Sequence, residues 1–333
     1  MLYKTCMPLK SIKVIFFIVV CCFSTSSFGK SKPYAFITSD IDHFWEAYDS
    51  LAYAQTYTDS VDVIQRLYID RASAAFQDFI DKRALNAKRY VQVIHACPKF
   101  WQSIRANTNL IETLKPQIDS VFARLEKNIP GYKQPDVCFA IGCLNTGGTT
   151  TKNTLLIGSE IVLADYTTDK SELNDWLRSV MDSVPNVPGY IGHETVHTLQ
   201  TGIPFWELPS LIRNKSLSLL NMSILEGVAD FITVEFLDMN INDQIHSYGD
   251  AHYDSLCIAL QQDIDAAPFA LDNWLYNGSQ TNGVPADLGY YMGYRFAKAY
   301  YDSSSNKKKA IRVMLKRGQY KKVAAASNCL QLH

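Results

Sequence analysis

The sequence predicts an α+β fold, mostly helical, with a small antiparallel sheet ahead of a pair of helices and helical N- and C-terminal parts. Three observations predict it. Apolar residues recur at i, i+3 and i+4 over much of 39–130. Between Pro135 and Leu163 the texture changes to short β-rich runs separated by turn residues. From Val187 onward helical patterns return, and two of them carry polar residues at one-turn spacing.

The first 29 residues read as a leader, not as part of the fold. Lys4, Lys10 and Lys13 precede the apolar run Val14–Phe23, which is too short for an ordinary membrane span. Ser27 and Gly29 then supply small residues at −3 and −1, so cleavage is expected after Gly29. The protein is therefore expected to be exported, to a periplasmic or extracellular location. Cys21 and Cys22 offer an alternative, a lipid anchor that associates the chain with an outer membrane, although Val20 stands where a small residue is expected. Residues 30–333 are expected to form a single domain in three parts, 30–134, 135–202 and 203–333.

The chain has 32 basic and 33 acidic residues, and loss of the three leader lysines leaves 29 basic. Such near neutrality gives no basic surface for nucleic acid. Five cysteines follow the leader, Cys97, Cys138, Cys143, Cys257 and Cys329, so at least one is unpaired. On a straight strand Cys138 and Cys143 would be about 16 Å apart, too far to bridge, and a turn at Gly142 would relax this. With no Cys-x-x-Cys, a thiolate metal site is not expected.

The helical stretch around 39–130 reads as scaffold. Asp136–Gly142 and Thr154–Leu163 read as strands, with a turn at Asn145–Thr150 between them. Ser171–Val184 reads as a helix opened by a capping box of Ser171 or Asp169 with Glu172. A helix is expected to start near Val187–Tyr190 and to stop around Gly202–Pro204, and another covers Ser216–Met239. Asn240–His252 reads as a polar loop, Asp287–Tyr301 as an aromatic helix with Gly289 and Gly293 on one face, and Lys307–Lys322 as a basic amphipathic helix.

The chemistry concentrates in Gly192–Gln200, which contains His193-Glu194-Thr195-Val196-His197. On a helix, His193 and His197 project from one face and can grip one metal ion. Glu194 can reach a water on that metal without ligating it. The next helix carries Glu226-Gly227-Val228-Ala229-Asp230 in an apolar setting, where carboxylates need a metal, a partner or a proton. Glu226 supplies a third ligand, leaving a fourth position to water. Asp230, one turn on, can accept the spare N–H of a ligating imidazole. The metzincin pattern is excluded, because Gln200 and Ile203 stand where it requires Gly and His.

These motifs resemble the gluzincin metallopeptidases of the thermolysin-like type. Pro135–Phe139, Asn145–Thr149, Glu226–Phe231, His246–Asp250 and Asp287–Tyr294 more narrowly resemble a Bacteroidetes family of predicted zinc-dependent proteases related to gliding-motility lipoprotein B. The resemblance spans about residues 135–300. It implies one Zn2+ per chain on His193, His197 and Glu226, with Glu194 as general base and Asp230 orienting a ligand. It implies a peptide or protein substrate laid along an edge strand, with Asn145, Gly147 and Gly148 as contacts. His246, Tyr248, Asp250 and His252 are candidates to hold the developing oxyanion, with His252 carried forward, and Tyr290 and Tyr291 are candidates to line the site. The alternative it leaves open is a cell-surface accessory protein that keeps the metal helices without turnover.

Overall fold

The N-terminal half supplies a helical layer that fixes the end of one strand. The computed structural model describes residues 33–181, 185–202, 218–267, 271–278 and 284–331. The expected leader with Cys21 and Cys22, and the expected helix stop at 202–204 beyond Gly202, lie outside them. The chain divides into units 1–33 and 34–333, and the description concerns the second.

After the short strand β1 (Phe36–Ile37) come α1 (Ser39–Ser50), α2 (Tyr57–Ile64), α3 (Ala74–Arg83), α4 (Ala87–Ala96), α5 (Pro98–Thr108) and α6 (Lys115–Asn128). Their starts are set locally. Thr56 and Asp59 form a reciprocal capping box, Ser73 accepts from Phe76 N, and Asn86 accepts from Arg89 N. Their apolar faces meet in an aromatic cluster of Phe44, Tyr68, Phe76, Tyr90 and Trp101, all fully buried. The hydroxyls of Tyr68 and Tyr90 both donate to Ile141 O, at 3.0 and 2.5 Å. Helices brought together by apolar burial thus pin the backbone just past β2 (Asp136–Ala140).

The sheet is mixed, not antiparallel as expected. Its order is β1-β2-β4-β3, with β3 at Gly148–Thr150 and β4 at Thr154–Gly158. β1 and β4 run parallel to β2, and β3 runs antiparallel to β4. The chain leaves β2, crosses to the outer edge as β3, and turns back so that β4 slots between them. The composition explains the pairing. β2 and β4 are buried along four of their five residues each, as continuous apolar runs, and such runs suit parallel strands covered on both faces.

The crossing segment 141–147 is held by one buried carboxylate. Gly142 N and Leu144 N donate to Glu160, at 2.8 and 2.7 Å. Cys143 and Leu144 both have positive φ, +62° and +52°. Cys138 and Cys143 remain free thiols, as does Cys97, and Cys257 pairs with Cys329.

Short helices α7 (Ser159–Val162) and α8 (Asp175–Val180) lead to α9 (Val187–Leu199), α10 (Leu219–Leu237), α11 (Asp243–Ala266), α12 (Leu288–Ser303), α13 (Lys307–Met314) and α14 (Tyr320–Ala324). Three expectations change here. The helix expected from Ser171 begins at Asp175, because Asn174 caps it and Glu172 instead accepts from Lys99 N and Phe100 N at the start of α5. Asn240–His252 is mostly helix, with non-helical φ/ψ at His252. The basic tail is two short helices, not one. The expected close approach at the aromatic helix is present. A Cβ on Gly293 would lie 1.7 Å from Ser223 O, and one on Gly227 would lie 2.0 Å from Gly293 C, so α10 and α12 cross backbone to backbone.

Candidate metal centre

α9 is built to face its histidines inward. Asn186 caps it by accepting from Gly189 N at 3.0 Å, and Pro188 sits in the first turn. Val187, Ile191 and Val196 are buried, so the polar face that carries His193 and His197 is directed toward α10. α10 is apolar nearly all round, and Glu226 and Asp230 are buried within it.

Three donor atoms converge. His193 Nε2 and His197 Nε2 are 3.1 Å apart, and Glu226 Oε2 lies 3.3 and 3.2 Å from them. A tetrahedral ion with bonds of about 2.0–2.1 Å needs donor separations of about 3.3–3.4 Å. The triangle therefore matches one face of a zinc coordination tetrahedron.

The outer atoms fix which nitrogen faces the triangle. His193 Nδ1 lies 2.9 Å from Asp230 Oδ1, and Asn242 Nδ2 donates to Asp230 Oδ2 at 2.8 Å. His197 Nδ1 lies 3.0 Å from Gln200 Oε1. Gln200 Nε2 donates to Leu225 O at 2.7 Å, which turns its amide oxygen toward the imidazole. Both Nδ1 atoms therefore carry the proton, and both Nε2 atoms present lone pairs. Two lone pairs and a carboxylate oxygen at such distances repel unless a proton or a metal cation sits between them. This donor set is compatible with zinc.

The charges agree. Burial lowers the His193 pKa, but hydrogen bonds to Asp230 and Glu226 outweigh it and push the group up to about 10. Burial raises the Glu226 carboxyl, and the two imidazoles more than offset this, holding it well below its usual range. Carboxylates so placed draw a positive charge to the cluster, which a divalent ion satisfies without the protons.

Around the triangle stand groups from distant parts of the chain. Tyr276 donates its hydroxyl to Glu226 Oε1 at 2.9 Å. The Tyr290 ring stacks on His193, centroids 6.1 Å apart. A Cβ on Gly148 would lie 3.1 Å from Glu194 Oε1, so the sheet-edge strand β3 runs directly over Glu194. Arg83, at the end of α3, donates to Gly148 O at 3.4 Å, and its buried Nε has no hydrogen-bond partner. Burial lowers the Arg83 pKa, and nearby Glu194 and Tyr276 act against that.

The sequence-predicted residues thus separate into two groups. His193, Glu194, His197, Glu226, Asp230, Tyr290 and Gly148 come together. Gly147 packs beside Val162 and Ile161, and Asn145, with its amide oxygen turned to Arg89, accepts at 3.0 and 3.2 Å. Two residues are corrections. Tyr291 is buried with its hydroxyl on Asp250 and Arg295, because the helical turn that aims Tyr290 at His193 aims its neighbour elsewhere. His252 is exposed at the break in α11, with Nδ1 2.8 Å from Tyr248 O and its ring stacked on Tyr248.

Four residues escaped the sequence reading: Arg83, Gln200, Asn242 and Tyr276. Gln200 had a usable signal, a polar residue one turn past the second ligand. The others arrive by tertiary folding and carried none.

Residues 163–317 match the model of a family described as "Predicted Zn-dependent protease (DUF2268)". That stretch begins after α7 and contains α9, α10, Tyr276 and Tyr290, and it leaves out the sheet and Arg83. No curated protein and no solved structure matches the chain.

Proposed function

We propose that this chain is an exported zinc-dependent peptidase of the gluzincin type, with His193, His197 and Glu226 holding one zinc ion. The observation that carries the reading is the triangle of donors at 3.1, 3.3 and 3.2 Å, whose outer nitrogens are already committed to Asp230 and Gln200. The family match supports a metal-dependent protease in general terms. The disulfide Cys257–Cys329 and the N-terminal leader support export to an oxidising compartment.

Zinc held there would act as a Lewis acid, lowering the pKa of water and polarising a scissile carbonyl. The chain's own residues do the rest. An extended peptide pairs with the open side of β3, which lies over Glu194. Glu194 takes a proton from the attacking water and delivers it to the leaving amine. Arg83, whose guanidinium reaches Gly148 O on the edge strand, donates to a substrate carbonyl. Asp230 and Gln200 keep the imidazoles in the tautomer that binds metal. Tyr290 closes one wall of the site.

Purified protein should contain about one zinc per chain, and a chelator should abolish hydrolysis of a mixed peptide set. Glu194→Gln should retain the zinc and lose about 10²–10⁴ in kcat. Wild type without metal would overturn the metal assignment. A fully active Glu194→Gln variant would overturn the base assignment, and zinc without turnover would favour the accessory role.

A further inference from the structure

Tyr276 occupies a position that is unfavourable for tyrosine in two ways. Its backbone is in the left-handed region, φ +60°, and its ring is 58% exposed. Its hydroxyl reaches Glu226 Oε1 at 2.9 Å, across 50 residues of sequence.

The loop around it is fastened on both sides. Trp274 and Leu275 are buried, and Trp274 Nε1 donates to Asp263 at 2.7 Å. Gly289 N donates to Trp274 O at 2.7 Å. On the other side Asn277 N donates to Asp287 Oδ1 at 3.2 Å, and Asp287 N returns the bond to Asn277 Oδ1 at 2.7 Å. Ser179 donates to Gly278 O at 3.3 Å. Fastened neighbours leave Tyr276 little choice of conformation, so the left-handed backbone persists.

Glu226 has two oxygens with different partners. Oε2 faces both imidazoles, and Oε1 accepts from Tyr276. A carboxylate free to rotate can offer a metal either one oxygen or both. Here the second oxygen is engaged by Tyr276, while the first faces both imidazoles.

We propose that Tyr276 is a positioning residue that keeps Glu226 a one-oxygen ligand, so that a metal held by His193, His197 and Glu226 retains an open position for water. It acts through Glu226 and is not itself a ligand. The inference rests on the metal reading above and adds to it a residue that controls coordination number.

The test uses the full chain with zinc or cobalt(II) as the probe. Tyr276→Phe removes the hydroxyl and keeps the ring. Zinc affinity, measured by competition with a chelator, should fall about 10–100-fold. The visible absorption of the cobalt(II) protein should weaken as Glu226 closes with both oxygens and the geometry moves from four- to five-coordinate. The melting temperature of the metal-free variant should fall by only a few degrees, the worth of one hydrogen bond to Glu226, whereas a changed cobalt(II) spectrum is a readout that a merely structural tyrosine would not give. Equal zinc affinity together with an unchanged cobalt spectrum would overturn the proposal. Wild type that takes up neither metal would instead overturn the metal reading, before the variant is made.

Discussion

At the residue scale, each functional atom of the proposed centre has its other end tied down. His193 is held by Asp230, His197 by Gln200, and Glu226 by Tyr276. Arg83 differs, since its Nε is buried without a partner and its hydrogen bond to Gly148 O is long at 3.4 Å. Unspent donors on a cation beside an edge strand suit a substrate carbonyl better than a structural role. Arg83→Ala should therefore raise KM about tenfold or more, the worth of one charge-assisted hydrogen bond, with kcat little changed. Steady-state kinetics on one peptide decides this. An equal fall in kcat at constant KM would place Arg83 in the transition state instead. The candidate ligands were legible in the sequence because their chemistry is local. His193 and His197 lie one turn apart on one helix, and Glu226 and Asp230 lie one turn apart on another. Arg83 and Tyr276 were not, because an arginine at a helix end and a tyrosine in a loop have the same sequence signature whether or not the fold brings them to a site.

At the element scale, the segment 141–147 carries the chain out to the edge strand that overlies Glu194, and Glu160 governs it. Burial pushes the Glu160 carboxyl up to about 7, against the two backbone N–H groups of Gly142 and Leu144, which lower it. In the unfolded chain its value is near 4.5. Between those two values the folded protein keeps the proton and the unfolded chain has lost it. Glu160 therefore contributes stability that is fully present below about 4.5 and is lost as pH rises through about 7. The contribution lost is about 3 kcal/mol. Urea unfolding across pH 4–8 should show wild type losing that much relative to Glu160→Gln, which cannot titrate. Parallel pH profiles for the two proteins would show that folding leaves the carboxyl at its ordinary value. Element type was mostly readable here and strand direction was not. Apolar runs such as Val137–Ile141 and Leu155–Ile157 announce buried strands, but a run without alternation carries no sign of whether its neighbour runs parallel. The helix start misplaced at Ser171 has a similar cause, since Glu172 caps a different helix and only the tertiary fold shows which.

At the scale of the whole molecule, two closures hold the C-terminal half, and the question is whether they act as one. The proposed metal centre would join α9 to α10 and, through Tyr276, to the loop ahead of α12. The disulfide Cys257–Cys329 joins α11 to the C-terminal segment across 72 residues of sequence. Chain entropy alone assigns about 4 kcal/mol to such a loop, and about 2–4 kcal/mol is typical. Zinc at about 1,000 times its Kd should add about 4 kcal/mol, provided it binds the folded state only. α11 is where the two could communicate. His246 on this helix lies 3.8 Å from Asp230 Oδ2, and Cys257 is on the same helix 11 residues later, about 16 Å along an ideal axis. Between them His252 breaks the helical geometry, at φ −125° and ψ 17°. A helix interrupted at that point does not carry strain as a rigid rod, and effects separated by more than about 10 Å without shared partners add. Urea unfolding of wild type and of the Cys257→Ser/Cys329→Ser double variant, each with and without zinc, gives the four free energies required. The zinc increment should be the same in both proteins within about 0.5 kcal/mol. An increment that shrinks by more than about 1 kcal/mol in the disulfide-free protein would mean that the break in α11 transmits what it is expected to absorb, and that the C-terminal closure belongs to the metal site.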